Sequence, residues 1–180
     1  MINKDAFSNS QIESKLWLCN ELEKLDWHSE LTHIYGGWYG ITAFLLLTRQ
    51  KFSVKKIESF DIDPQCEPIA NMINENWVFK DWQFKAYTTN CNDYVEGSPD
   101  LIINTSTEHF DSMHWFDKIP KGTRIVIQGN NMPHEDHCIY SENIVSFINR
   151  YPISQSEYIG EKEFVYPDWK FTRFMMIGIK

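Results

Sequence analysis

A short apolar run at residues 31–35 meets Gly36, Gly37 and Gly40 and passes directly into an apolar helical stretch, the whole reading HIYGGWYGITAFLL over residues 33–46. About a helix length later, IESFDIDP at residues 57–64 carries a second strand that ends on Asp61. Strand, glycine turn, helix, strand and terminal acid is the βαβ order that holds a nucleoside. Glycines let the backbone turn sharply and admit a ligand where a Cβ would collide. The helix N-terminus offers unpaired N–H groups to a polar or anionic group, and a carboxylate at the neighbouring strand tip can accept both hydroxyl hydrogens of a ribose. A tight turn without a ligand is the competing reading of the glycines alone. The acid at the right distance, in a chain that goes on alternating strand and helix, favours the nucleoside site.

The rest of the chain extends this pattern. Ser10 and Glu13 match a capping box, and Ile12, Leu16, Cys19 and Leu22 follow at helical spacing, which predicts an amphipathic helix covering the sheet. Trp17 and Trp27 read as packing against the sheet, with closure over a ligand as the alternative. Ile41, Phe44, Leu45 and Leu47 make the helix after the glycines largely internal, and it fades at residues 48–50. In Asp61-Ile62-Asp63-Pro64, Asp63 caps a helix that carries Ile69, Met72 and Ile73. Asp61 has no such structural task and reads as the functional acid. Trp82, Phe84 and Ala86 alternate as a third strand, followed by the polar residues 88–94. Residues 101–103 form a fourth strand, apolar throughout as in a central parallel position. A short helix at residues 112–117, a fifth strand at 124–127 and a helix at 141–148 follow. The last runs, residues 158–165 and 171–179, are joined too closely for a parallel crossover and must pair antiparallel. The expected fold is α/β, a doubly wound and mostly parallel sheet with a C-terminal antiparallel hairpin, in one domain over residues 1–180 with residues 1–30 as an N-terminal helical cover.

Composition narrows the function classes. With 42% hydrophobic and 15% aromatic residues the chain is not disordered. A net charge of −8 without a basic block argues against DNA or RNA as the main partner. Cys19, Cys66, Cys91 and Cys138 stand far apart with no C-x-x-C pair, which argues for reduced thiols and a cytoplasmic location. The N-terminal residues carry no apolar signal region, and no apolar run approaches the ~18 residues of a membrane span.

From about residue 30 to its end the chain resembles class I S-adenosylmethionine-dependent methyltransferases. That resemblance implies a seven-stranded sheet and S-adenosyl-L-methionine as cofactor. It implies that Tyr35, Gly36, Gly37, Trp38 and Gly40 lie under the methionine part of the cofactor and that Asp61 binds the ribose. Ile62 would pack on adenine, and Asn92 or Asp93 would reach the adenine amine. The run DLIINTSTEHF at residues 100–110 resembles the fourth-strand motif of many small-molecule methyltransferases; Asn104 would contact the cofactor, and Glu108 and His109 would close the motif. Two departures stand out. The usual G-x-G-x-G carries Trp38 at its middle position, giving G-G-W-Y-G, and Ile34 stands where an acid usually contacts the cofactor's amino group.

Methyl transfer from a sulfonium is an in-line displacement that mainly needs contact and exclusion of water. In open α/β sheets the site lies beyond the C-terminal strand ends, which here collects residues 36–40, 61–63, 90–93, 104–110 and 128–138. Four of the six histidines, His109, His114, His134 and His137, fall in or beside the last two segments. Glu108, His109 and His137 are the expected catalytic residues, with His109 the first candidate for a general base and a hydrogen-bonded helix-cap histidine its alternative. In NNMPHEDHC, His134, Glu135, Asp136 and His137 could ligate a cation; a solvated turn is the preferred reading, and no metal is expected. Asn104, Gln128 and Asn130 are candidate partners for ligand or loop backbone. Trp38, Tyr39, Trp115 and Trp169 could wall an acceptor, with plain packing the equal alternative for Trp169. Little chain lies outside the core pattern, which favours a small-molecule acceptor or a lid from a partner subunit, such as the second copy of a homodimer. The competing functions are a non-catalytic S-adenosylmethionine- or nucleoside-binding protein or partner subunit, and an NAD-linked enzyme, against which the terminal hairpin and the missing G-x-G-x-x-G argue.

Overall fold

A computed structural model describes residues 2–79, 82–93 and 95–180; Tyr94, the end of the polar stretch after the third strand, lies outside the described residues. Seven strands form one sheet: β1 (His28–Tyr35), β2 (Ser53–Asp61), β3 (Phe84–Thr88), β4 (Leu101–Asn104), β5 (Arg124–Asn130), β6 (Gln155–Val165) and β7 (Lys170–Ile179). Their order is β3-β2-β1-β4-β5-β7-β6. The first five run parallel, and β7 is antiparallel to both its neighbours. The expected doubly wound sheet with a terminal antiparallel hairpin is the observed one.

Helices cover both faces: α1 (Asn9–Leu22), α2 (Ile41–Arg49), α3 (Cys66–Ile73), α4 (Glu75–Val78), α5 (His114–Asp117) and α6 (Ile144–Arg150), with short 3-10 turns at Lys4–Phe7 and Thr107–His109. Strand alternation divides the core between them. Ile34, Ile57, Leu101, Ile103, Val126, Met175 and Ile177 face Leu18, Leu22, Ala43, Leu46 and Leu47 of α1 and α2. Tyr35, Phe60, Ile102, Ile125, Ile127, Phe174 and Met176 face Trp115, Phe116, Phe147 and Tyr151 on the other side. β4 is buried at every position, as a central parallel strand must be. β6 is the outer edge and is mostly exposed. None of the described helices is long and apolar enough to cross a membrane.

Several local expectations shift. α1 begins at Asn9 with Ser8 as its N-cap, not at a Ser10–Glu13 capping box, and the Ser8 hydroxyl makes no capping bond. Glu13 instead accepts from Asn9 Nδ2 at 2.8 Å and from Lys162 Nζ at 2.8 Å. The buried face of α1 is Ser10, Ser14, Lys15, Leu18, Cys19 and Leu22, so the helix is rotated away from Ile12 and Leu16. The reason lies under it: Gln128 of β5 donates to the Ser14 carbonyl at 3.0 Å, and a polar sheet end takes a polar stretch of helix. Strand β3 begins at Phe84; Trp82 sits before it with φ +54°, a turn conformation that a strand cannot use.

Candidate functional site

The parallel register aligns the ligand end of the sheet. Tyr35 pairs with Phe60 on one side and Asn104 on the other, so the tips of β1, β2 and β4 stand level. Just beyond them the chain turns through Gly36 (φ +63°), Trp38 (φ +49°) and Gly40 (φ +71°). Left-handed backbone costs an L-residue about 1–2 kcal/mol. At Trp38 two contacts offset it. Its N–H donates to Asp61 Oδ2 at 2.8 Å, and its side chain packs against the cluster of Ala6, Tyr39 and Cys66. A Cβ on Gly36 would collide with Ser106 Oγ and stand 3.2 Å from Phe110 Cε2, so the chain after β4 lies directly on the turn. Ser106 Oγ also donates to the Gly36 carbonyl at 3.1 Å.

Asp61 has a structural task after all. Besides the Trp38 N–H it accepts the Asp63 N–H at 3.1 Å on Oδ1, so it ties the glycine turn to the tip of β2. Each carboxylate oxygen keeps a further lone pair, and the side chain is half-exposed. Asp63 accepts the Gln65 N–H at 2.9 Å and closes the turn into α3. In that helix the buried residues are Cys66 and Ala70, while Met72 is exposed.

The other expected cofactor contacts separate. Asn104 is fully buried; its Oδ1 accepts the Ser106 N–H at 3.0 Å, and its Nδ2 has no hydrogen-bond partner among the described residues. A buried amide left unpaired is costly, and this one stands at the tip of β4. Ile62 and Asp93 are exposed. The Asn92 amide is committed elsewhere, donating to Asp111 Oδ1 at 2.7 Å and accepting the Trp115 N–H at 3.1 Å. Between Asn92 and the turn lies Cys91, against the Gly36 backbone, its thiol pushed up to about 12 by burial. Burial likewise raises the Tyr35 hydroxyl.

The proposed aromatic wall does not form. Trp115 is a core residue at 1% exposure, Tyr39 is buried with its hydroxyl accepting the Asn3 N–H at 3.2 Å, and Trp169 stacks on Tyr166 and Phe171 within the hairpin. Of the four, Trp38 and Tyr39 lie in the glycine turn, their rings packed on each other at 5.2 Å between centroids.

Glu108, His109 and His137 do converge: one carboxylate oxygen and one ring nitrogen from each histidine lie within 4.8 Å of one another. Glu108, on the turn after β4, is buried and accepts from the Asn130 amide at the tip of β5. The chain after β5 folds back so that the N–H groups of Cys138 and Ile139 donate to the Glu108 carbonyl at 2.8 and 3.1 Å. His137 Nδ1 stands 2.7 Å from the Met132 carbonyl. A carbonyl only accepts, so Nδ1 carries the proton and Nε2 the lone pair. Burial is the main cause holding the His137 imidazole below its ordinary pKa. His134 turns back on Asp136, whose N–H it accepts at 3.2 Å, and does not join the cluster.

Two buried charges at this end of the sheet escaped the sequence reading. Arg173 of β7 pairs in register with Asn130. It is 4% exposed, donates to the Thr105 carbonyl at 3.2 Å and stands 3.7 Å from Glu108. Lys15 of α1 is 7% exposed, with its amine 2.6 Å from Gln11 Oε1. Burial first, then Arg173, lower its pKa to about 7, against the opposing pull of Glu108. The signal was present: a lone arginine inside FTRFMMIGI, and a lysine at core spacing before Leu18.

No family model matches the chain, and no curated sequence matches it. Solved structures do. The N-methyltransferase NodS from Bradyrhizobium japonicum aligns at a TM-score of 0.70 and 11% identity over 96% of this chain and 99% of that one. Magnesium protoporphyrin IX methyltransferase from Synechocystis with bound S-adenosylmethionine aligns at 0.65 and 11% over 92% and 78%. Geranyl diphosphate C-methyltransferase from Streptomyces coelicolor, in complex with Mg2+, a substrate analogue and S-adenosyl-L-homocysteine, aligns at 0.66 and 12% over 94% and 76%. At these identities the likeness is one of fold: the chain has the class I methyltransferase fold.

Proposed function

We propose that this protein binds S-adenosylmethionine and transfers its methyl group to a small-molecule acceptor. One observation carries the reading: the Asp61 carboxylate at the tip of β2 is tied to the glycine turn after β1 through the Trp38 N–H and keeps a free lone pair on each oxygen. The residues fit the cofactor. Asp61 has lone pairs left for ribose hydroxyls, and Asn104 Nδ2 is a buried donor in want of an acceptor. The similar structures whose acceptors are named act on small molecules, which supports the same class here. The unpaired thiols, three of them buried, support a reducing, cytoplasmic compartment.

When bound, the cofactor supplies an electrophilic sulfonium methyl. The chain's own part is to position and to take up a proton. His137 has its Nδ1 proton anchored on Met132, so Nε2 can accept a proton from an acceptor hydroxyl or ammonium. Glu108, held by Asn130 and flanked by Arg173, fixes the turn that presents His109. This arrangement favours a catalytic reading over passive nucleoside binding.

Calorimetric titration of S-adenosylmethionine and S-adenosylhomocysteine into the purified protein tests the proposal. Saturable one-to-one binding is expected, weakened at least about tenfold, or roughly 1.4 kcal/mol, in Asp61→Asn. Absence of binding by the wild type overturns it.

A further inference from the structure

The turn after β4 and the loop after β5 meet beside the glycine turn, and what they bring together is a ligand set. We propose that Glu108, His109 and His137 bind one divalent transition-metal ion, Zn2+ or a close chemical relative, with coordination positions left open for the acceptor. The three donor atoms lie within 4.8 Å of one another. Zinc holds nitrogen and oxygen ligands at about 2.0–2.2 Å, so its ligands stand roughly 3–4 Å apart. The donors thus stand wider than around a bound ion, and binding requires the exposed His109 side chain to turn inward.

The surroundings are those of a built site. Glu108 is 2% exposed; its Oε1 is taken by Asn130 and faces Arg173 at 3.7 Å, while Oε2 is buried without a hydrogen-bond partner among the described residues. A carboxylate oxygen in that state needs a cation or a donor. His137 has its outer nitrogen fixed by a backbone carbonyl, which is how metal-binding histidines are commonly oriented, and this leaves Nε2 as the ligand atom, in place of the proton-accepting role it has without the ion. The two loops are held to each other by the Cys138 and Ile139 N–H groups on the Glu108 carbonyl, so the spacing of His137 from Glu108 is set by main chain.

Burial grades from Glu108 through His137 to the exposed His109, so protein encloses one side and the other is open. Two imidazoles and one carboxylate are the donors of three-ligand sites that keep positions for water or substrate. Arg173 and Lys15 near Glu108 weaken the attraction for any cation. The two imidazoles, and not these charges, favour an ion that bonds nitrogen strongly over Mg2+ or Ca2+, which prefer oxygen cages. Orientation of an acceptor through its oxygen or nitrogen lone pairs rests on the methyl-transfer reading above; the metal site does not.

The test is titration of chelator-treated protein with Zn2+ by calorimetry and with Co2+ by visible ligand-field absorption. One-to-one binding is expected, weakened at least about tenfold in His109→Ala and in His137→Ala and unchanged in His134→Ala. Glu108→Gln, at a buried position, is measured alongside its melting curve and its S-adenosylhomocysteine binding, so that unfolding is told apart from ligand loss. A wild type that takes up no ion, or a His134→Ala variant that loses the ion while His109→Ala keeps it, overturns the proposal. Metal binding without cofactor binding leaves this site standing and removes the methyl-transfer reading; the reverse removes only this site.

Discussion

Lys15 is the residue whose setting conflicts most with its chemistry. A lysine enclosed by α1 and the end of the sheet, with only Gln11 as hydrogen-bond partner, has its amine lowered to about 7 from an ordinary 10.5. Between those values the unfolded chain binds more protons than the folded one, so stability rises with pH across that window. We expect Lys15→Met, which keeps the stem and removes the charge, to melt higher at pH 7, by about 2–4 °C for each kcal/mol gained. Its melting temperature should also climb less than the wild type's between pH 7 and 10. Equal slopes in the two proteins would place the amine in water. His33, fully buried on β1, is shifted in the same direction. Burial depresses it to about 4, and its Nε2 lies 3.0 Å from Glu58 Oε2 without the alignment of a hydrogen bond. It is a neutral core histidine.

Among the elements, the turn between β1 and α2 is under the tightest restraint. Gly40 is the N-cap of α2 in left-handed backbone, and a Cβ there would meet Asn74 Nδ2 at 2.7 Å and Ala70 Cβ at 3.2 Å. Asn74 Nδ2 donates to the Gly40 carbonyl at 3.2 Å and to the Ala70 carbonyl at 3.0 Å, which clamps the turn to the end of α3. Gly122 is also left-handed, at φ +89°, but a Cβ there meets nothing within 4 Å. Gly122→Ala should therefore cost only backbone strain, about 1 kcal/mol. Gly40→Ala should cost that strain plus displacement of the clamp, about 2–4 kcal/mol. Denaturant midpoints of the two variants check this, and equal losses would mean that the clamp carries nothing. The same element shows what local pattern can reveal. Three glycines and an acid at a helix's distance announce the turn and its partner, because each demand is met within thirty residues of chain. That Asp61 would also brace Trp38 was not legible, since a tryptophan at a left-handed position breaks the usual glycine rule.

At the scale of the whole molecule, protection should follow the sheet from its centre outward. Native-state hydrogen exchange is expected to be slowest in β4, β5 and the Thr32–Tyr35 half of β1, buried on both faces, and faster in the outer strand β6 and in Lys4–Phe7, which open locally. Uniform exchange across all seven strands would indicate that only global unfolding exposes the amides. The sequence by itself determined the strands, the glycine turn, the acid at the tip of β2 and the antiparallel hairpin. Period-two alternation, apolar runs and turn residues act over a few neighbours and need no distant partner to be read. Only the tertiary structure decided which polar residues are buried together. Lys15 from the first helix, Glu108 from the middle of the chain and Arg173 from the last strand meet because α1 docks on β5 and β7 returns antiparallel beside it. Burial and charge are properties of that assembled space, and no window of sequence contains it.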